Sequence, residues 1–128
     1  MKTSELMKRD IILYEYDGQK FPARVIEIYR NSVLVESING EYEPIEIEED
    51  KIFPVDLTPE ILEKNGFRHG CYVGGYYSPD CPFRVFTKTR GTCGFTTLFD
   101  DEIHFSCVFV HELQHALRLC GIDKEITL

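Results

Sequence analysis

The chain has 128 residues, enough for one domain or two small lobes sharing a core, and too few for a dinucleotide-binding domain plus a substrate domain. Its 22 acidic and 14 basic residues give a net charge of −8. This charge excludes non-specific binding to nucleic acid or to an anionic membrane, because both require a cationic surface. Residues 41–60 hold eight acidic residues and one basic residue, so this stretch carries nearly all of the excess charge.

The sequence lacks the apolar core of a signal peptide and any run that could span a bilayer, since the apolar run nearest the N-terminus is only Ile11-Ile12-Leu13. We therefore expect a cytoplasmic protein. In that reducing compartment the cysteines, which include no C-x-x-C pair, are expected to be free thiols. They are Cys71, Cys81, Cys93, Cys107 and Cys120.

The first half of the chain predicts short strands separated by tight turns. Asp17-Gly18 and Asn31-Ser32 mark turns, and Asn39-Gly40 is the strongest hairpin signal, typical of a type I′ turn. The strands are expected over residues 11–16, 21–30, 33–38, 42–48 and 51–55. Such a meander is typical of an SH3-like small β-barrel or a curled antiparallel sheet.

A short helix is predicted next, with Thr58 as N-cap, Pro59 at its first position and Asn65-Gly66 at its C-terminus. Residues 67–106 predict a second antiparallel sheet, and residues 107–120 the longest helix. The expected fold class is α+β, with a β-rich SH3-like lobe at 1–56 and an α+β lobe at 57–128. The two lobes can also form one continuous domain.

The last helix carries His111-Glu112-Leu113-Gln114-His115, an H-E-x-x-H string. Histidines four residues apart lie on one helix face and can both bind zinc, while the glutamate can act as general base on a metal-bound water. This pattern predicts, as one alternative, a zinc metallopeptidase with His111 and His115 as metal ligands and Glu112 as the catalytic residue.

Two features of the sequence argue against the zinc site. No third ligand follows at a motif position, because Arg118 and Gly121 stand where the extended motif has its glycine and third histidine. At 100° per residue, both histidines fall on the polar arc of the helix, opposite an apolar arc. We therefore expect them to face water or a partner, and we predict no catalytic residue, metal or cofactor.

The acidic stretch is the other candidate site. Glu46 and Glu48 alternate with Ile45 and Ile47, which predicts a strand with one solvated face. A solvated strand is the simpler interpretation, and a surface that binds a basic partner is the functional one. The candidate partner-binding residues are Glu43, Glu46, Glu48, Glu49 and Asp50.

Two segments are similar to a family of small proteins of unknown function from Bacteroidetes genomes, their prophages and phages. Residues 53–67 (FPVDLTPEILEKNGF) match its LTxExLxxxGF segment, and residues 108–121 (VFVHELQHALRLCG) match its C-terminal yVHqLQnlyfaLtG helix. The order of the segments and the spacing between them agree with the family's pattern over nearly the whole chain. The resemblance implies no known activity, and Glu112 and His115 replace the family's usual glutamine and asparagine.

These observations favour a non-enzymatic, phage- or mobile-element-derived module that binds a protein partner. They predict neither membrane binding nor non-specific nucleic-acid binding. The zinc hydrolase stays open as an alternative, as does a structural protein that assembles through its sheet edges. The sequence leaves the oligomeric state undetermined.

Overall fold

The computed structural model of the chain describes residues 1–69, 75–86, 94–99 and 102–128, with the backbone alone for 94–99 and 102–104. The fold is α+β, as predicted: a curled five-stranded antiparallel sheet, a second sheet and a C-terminal helix. The chain divides into two compact units, Met1–Val55 and Asp56–Leu128.

The first unit is a half-barrel with the strand order β4-β3-β2-β1-β5, in which every neighbouring pair is antiparallel. A bulge between Val25 and Glu27 bends the longest strand and helps the sheet to curl. Two 3₁₀ turns, Thr3–Glu5 and Glu49–Lys51, accompany the strands. The strands are β1 (Ile11–Tyr16), β2 (Gln19–Ile28), β3 (Ser32–Ser37), β4 (Ile45–Glu48) and β5 (Ile52–Phe53).

The core of this unit forms on one face of the sheet, because alternate residues of a strand point to the same side. Val33 and Val35 on β3 are fully buried, and the intervening Leu34 is half-buried. Ile45 and Ile47 of β4 pack against the same cluster from the edge of the sheet. The buried members are Leu6, Ile12, Tyr14, Ala23, Val25, Val33, Val35 and Ile52.

The turns of this sheet differ from the prediction at one point. Asp17 and Gly18 have φ angles of 52° and 75° between the paired residues Tyr16 and Gln19, the geometry of a two-residue type I′ hairpin. The type I′ hairpin predicted at Asn39-Gly40 is wrong, because Gly40 has a positive φ and Asn39 does not. Residues 38–44 instead form a wider connection, in which the Ser37 hydroxyl accepts a hydrogen bond from the Glu41 amide at 2.6 Å.

The second unit opens with α1 (Pro59–Lys64), whose predicted caps are confirmed. The Thr58 hydroxyl accepts a hydrogen bond from the Ile61 amide at 3.2 Å, and Gly66 ends the helix with φ of 88°. The buried Asn65 side chain also exchanges two hydrogen bonds with the backbone of Thr127. The C-terminal tail is thereby tied to the end of α1.

The second sheet has the strand order β6-β7-β8-β10-β9. It was predicted to be antiparallel, and this is wrong for one pair, because β10 runs parallel to β8. β9 occupies the outer position of the sheet, and β10 lies between β8 and β9. The strands are β6 (Arg68–His69), β7 (Tyr76–Tyr77), β8 (Phe83–Phe86), β9 (Gly94–Phe99) and β10 (Glu102–Ser106).

The C-terminal helix, α2 (Val110–Leu119), begins three residues later than predicted. The preceding residues are extended, since Val108 accepts a backbone hydrogen bond from Leu57 at 2.9 Å and Phe109 forms a β-bridge with Asp56. These pairings hold the backbone out of the helical conformation. The apolar side chains that α2 buries are Val110, Leu113, Ala116 and Leu117.

Candidate functional site

The H-E-x-x-H residues lie on the first two turns of α2, where their environment differs from the expectation. His111 is only 7% exposed and Gln114 only 6%, while His115 is half-buried. The expectation that the histidines face water or a partner is therefore wrong for His111, which this chain itself buries together with Gln114. The helix therefore buries a wider arc than its apolar residues alone define.

Glu112 takes part in the hydrogen bonding at the start of α2. Its Oε1 atom accepts hydrogen bonds from the backbone amides of Val108 and Phe109, both at 2.9 Å. Phe109 is the N-cap residue and has no polar side chain, so the carboxylate three residues later supplies the acceptor that a capping box requires. Its charge also complements the positive end of the helix dipole.

The two histidines lie one turn apart, as their spacing predicts. Their ring centroids are 5.5 Å apart and the rings are nearly perpendicular, while the His111 ring stacks on Phe109 at 5.9 Å. Within the described residues, no group of three histidine, cysteine or acidic side chains could hold a metal ion. The side chains of Glu102 and His104 lie outside that description.

The acidic residues of the first unit occupy an edge strand and its two ends. We call Glu43, Glu46, Glu48 and Asp50 the acidic edge; all four are exposed. Glu46 and Glu48 point away from the core that Ile45 and Ile47 contact, as the alternation predicts. The fifth candidate residue, Glu49, is half-buried, and its Oε2 atom accepts a hydrogen bond from the Thr3 amide at 3.4 Å.

No residue of the acidic edge forms an ion pair with a described cation, while the Met1 ammonium lies nearby and donates a hydrogen bond to the Glu49 carbonyl at 3.1 Å. Two ion pairs of the first unit join Lys8 to Glu27 at 3.3 Å and Arg24 to Glu36 at 3.8 Å, and neither involves the acidic edge. Exposed carboxylates that form no ion pair repel one another and attract cations from solution. The acidic edge can therefore bind a polycation without first breaking an internal ion pair.

An aromatic cluster at the β1–β2 hairpin was not predicted. The ring centroid of Tyr14 lies 5.7 Å from that of Phe21 on the paired strand and 6.4 Å from that of Tyr42 in the 38–44 connection. We call these three residues the aromatic patch. Tyr14 is buried, whereas Phe21 and Tyr42 are each 37% exposed. The pairing of Tyr14 with Phe21 follows from the Asp17-Gly18 turn, so the strand register could have located two of its members.

Tyr42 is held by its neighbours in the aromatic patch. Its hydroxyl forms a hydrogen bond with the hydroxyl of Tyr14. Burial, followed by this hydrogen bond and the negative charge of Glu41, raises the pKa of Tyr42 from 10.0 to about 12. The phenol is therefore protonated at neutral pH and available as a hydrogen-bonding group.

The tyrosines of the second sheet and the described cysteines contribute to packing within the fold. Tyr76 pairs with His69 and Tyr77 with Arg84 across neighbouring strands, so both tyrosines take part in cross-strand contacts. Cys81, Cys107 and Cys120 are free thiols, and burial raises the pKa of Cys81 and of Cys120. Cys71, Cys93 and Tyr72 lie outside the described residues.

Comparison with known proteins finds no matching family model, curated protein or solved structure. None of the helices in the described ranges has the length and hydrophobicity needed to cross a lipid bilayer. The acidic edge and the aromatic patch are two exposed features of the first unit.

Proposed function

We propose that the protein is a non-enzymatic binding module whose first unit engages a basic protein partner through the acidic edge. The observation that carries the proposal is the exposure of four carboxylates on one edge strand and at its two ends, with no ion pair to them from any described residue. A surface of one sign raises the rate at which an oppositely charged partner associates and discriminates against partners of like charge. The phage- or mobile-element origin implied by the family resemblance belongs to the same proposal, as does a cytoplasmic location.

The backbone of β4 favours this role as well. It is the edge strand of its sheet and pairs only with β3 within the described chain. Outward-facing charges on such a strand hinder its pairing with a second copy of the sheet, because the like charges would meet. The same charges leave the edge accessible to a cationic segment. This supports a hetero-partner more than it supports assembly through sheet edges.

The proposal can be tested with a defined cationic peptide. The probe is an octapeptide of alternating glycine and arginine, with an uncharged glycine–citrulline peptide for comparison. At about 20 mM salt, where screening is weak, the protein is expected to bind the arginine peptide in preference to the citrulline peptide. Raising the salt to about 0.5 M should abolish most of the binding.

Charge reversal then locates the contact. Glu46→Lys combined with Glu48→Lys is expected to weaken binding of the arginine peptide by about tenfold, because two attractive contacts become repulsive. Glu49 is excluded from this variant because it bonds to the Thr3 amide. The matched control is Glu5→Lys with Glu63→Lys, which makes the same change in net charge at two other exposed positions. Equal affinities of the two double variants would contradict the proposal.

The zinc metallopeptidase is the alternative candidate, favoured by the 5.5 Å separation of the His111 and His115 rings. The Oε1 atom of its proposed base, Glu112, accepts from the Val108 and Phe109 amides and so caps α2, the helix that carries both histidines. Within the described residues, no third side chain completes a metal site with them. The geometry therefore supports the binding module better, and metal analysis distinguishes the two.

A further inference from the structure

The aromatic patch leaves two aromatic rings partly exposed to solvent, one of them next to acidic residues in the sequence. Phe21 and Tyr42 are each 37% exposed, and Tyr42 is flanked in sequence by the exposed Glu41 and Glu43. The face of an aromatic ring is the negative end of its quadrupole, so it attracts cations, and nearby carboxylates strengthen this attraction. An arginine side chain satisfies both features, because its planar guanidinium can stack on a ring while it donates hydrogen bonds to a carboxylate.

The chain covers other aromatic rings with its own cations. Lys20 Nζ lies 4.0 Å from the ring centroid of Phe53, Arg84 Cζ 5.3 Å from that of Tyr77, and Lys124 Nζ 5.4 Å from that of Phe67. Among the described residues, no such cation lies over the rings of the aromatic patch. The partly exposed rings of the aromatic patch are thus not covered by a cation from the described part of the chain.

Two hydrogen bonds anchor the 38–44 connection near Tyr42, one to the backbone before it and one to its own hydroxyl. The Glu41 amide donates to the Ser37 hydroxyl at 2.6 Å, and the Tyr42 hydroxyl bonds to that of Tyr14, a buried core residue. Phe21 is fixed across from Tyr14 by the strand register. The two exposed rings are therefore held in place before any partner binds, which lowers the entropy lost on binding.

We infer that the aromatic patch, with Glu41 and Glu43, is the subsite that receives an arginine side chain of the basic partner. The occupant is an arginine-containing segment of another protein, chosen because the charge and the ring faces are complementary to a guanidinium. This inference rests on the proposed function and specifies which side chain of the partner is recognised. The acidic edge attracts the segment, and the aromatic patch selects its arginine.

The glycine–arginine octapeptide tests the inference when the rings are removed one at a time. Tyr42→Leu and Phe21→Leu are each expected to weaken its binding by about three- to tenfold, the range of one partly exposed cation–π contact. Tyr29→Leu is the matched control, because Tyr29 is a 45% exposed tyrosine of the same unit outside the aromatic patch. It should bind the peptide with the wild-type affinity.

A second variant separates recognition from structure. Tyr42→Phe keeps the ring and loses the hydroxyl bonded to Tyr14, while the hydrogen bond from the Glu41 amide to Ser37 still anchors the connection, so it should bind within about twofold of the wild type. If Tyr42 merely held the connection in place, Tyr42→Phe would weaken binding as much as Tyr42→Leu, and the inference would be overturned.

The outcomes distinguish this inference from the proposed function. If charge reversal at Glu46 and Glu48 weakens binding while Tyr42→Leu and Phe21→Leu bind like Tyr29→Leu, the acidic edge stands and the arginine subsite is refuted. If the wild type does not bind the arginine peptide at low salt, both are refuted. Weakened binding in both ring variants, with Tyr29→Leu and Tyr42→Phe unchanged, supports the subsite.

Discussion

The capping role of Glu112 leads to a quantitative prediction about the stability of the second unit. Glu112→Ala removes the acceptor of two backbone amides, each 2.9 Å from Oε1, at a helix whose N-cap residue has no side-chain oxygen. The loss of an N-terminal cap costs about 1 kcal/mol, and the favourable charge at the dipole adds about 0.5 kcal/mol. We therefore expect the free energy of unfolding to fall by about 1.5 kcal/mol.

Glu112→Gln separates hydrogen bonding from charge. It keeps a carbonyl oxygen that can accept from Val108 and Phe109, so only the charge-dependent part, about 0.5 kcal/mol, should be lost. Glu63→Ala is the control, because Glu63 is an exposed acidic residue near the C-terminal end of α1. Its effect should remain within about 0.5 kcal/mol, as is usual for surface substitutions.

Urea unfolding followed by far-UV circular dichroism gives these free energies, and amide hydrogen exchange gives a local measure. The amides of Val108 and Phe109 should exchange faster in Glu112→Ala than in the wild type, because they lose their acceptor. If Glu112→Ala is as stable as Glu63→Ala and both amides exchange at wild-type rates, the carboxylate does not cap the helix.

Three further predictions concern the metal, the pH dependence and the first hairpin. Protein purified without an affinity tag should hold less than about 0.1 zinc per chain, whereas about one zinc that is lost in His111→Ala would support the hydrolase. Because the pKa of Tyr42 is raised from 10.0 to about 12, the unfolded chain releases this proton first, so stability should fall as the pH rises from 10 to 12. In spectrophotometric titrations, the difference between the wild type and Tyr42→Phe should show one ionisation near pH 12, and a difference centred near pH 10 would contradict the assignment. Gly18→Ala should lower the free energy of unfolding in urea by about 1 kcal/mol, because Gly18 has φ of 75°, which alanine adopts only with strain. The added methyl group would meet no atom within 4 Å, so the loss would report the backbone alone, and an unchanged stability would count against the type I′ turn.

The sequence predicted a helix or turn correctly where the conformational preference of single residues determines the backbone conformation. Thr58, Pro59 and Gly66 define α1 through capping and conformational preference, which need no knowledge of the rest of the fold. The Asn39-Gly40 hairpin failed because the Ser37 hydroxyl offers the following backbone an alternative acceptor. The parallel pairing of β8 and β10 was beyond local signals, because it depends on which sheet position β9 occupies.

The candidate site was predictable to a similar extent. The exposure of Glu46 and Glu48 follows from the period of two along β4, and the structure agrees. The burial of His111 could not be predicted from a helical wheel, because the wheel considers only the polarity of the helix residues and not the parts of the chain that pack against the helix. Tyr42 joins Tyr14 only through the path of the 38–44 connection, so the aromatic patch required the three-dimensional fold.

A titration of isotope-labelled wild-type protein with the glycine–arginine octapeptide, followed by backbone amide chemical shifts, tests binding through the acidic edge most directly. We expect the largest shift changes at low salt in residues 41–50, extending to Phe21. The glycine–citrulline peptide should leave these signals unchanged. No shift change at low salt, or changes confined to residues 108–120 of the second unit, would contradict the proposed binding surface.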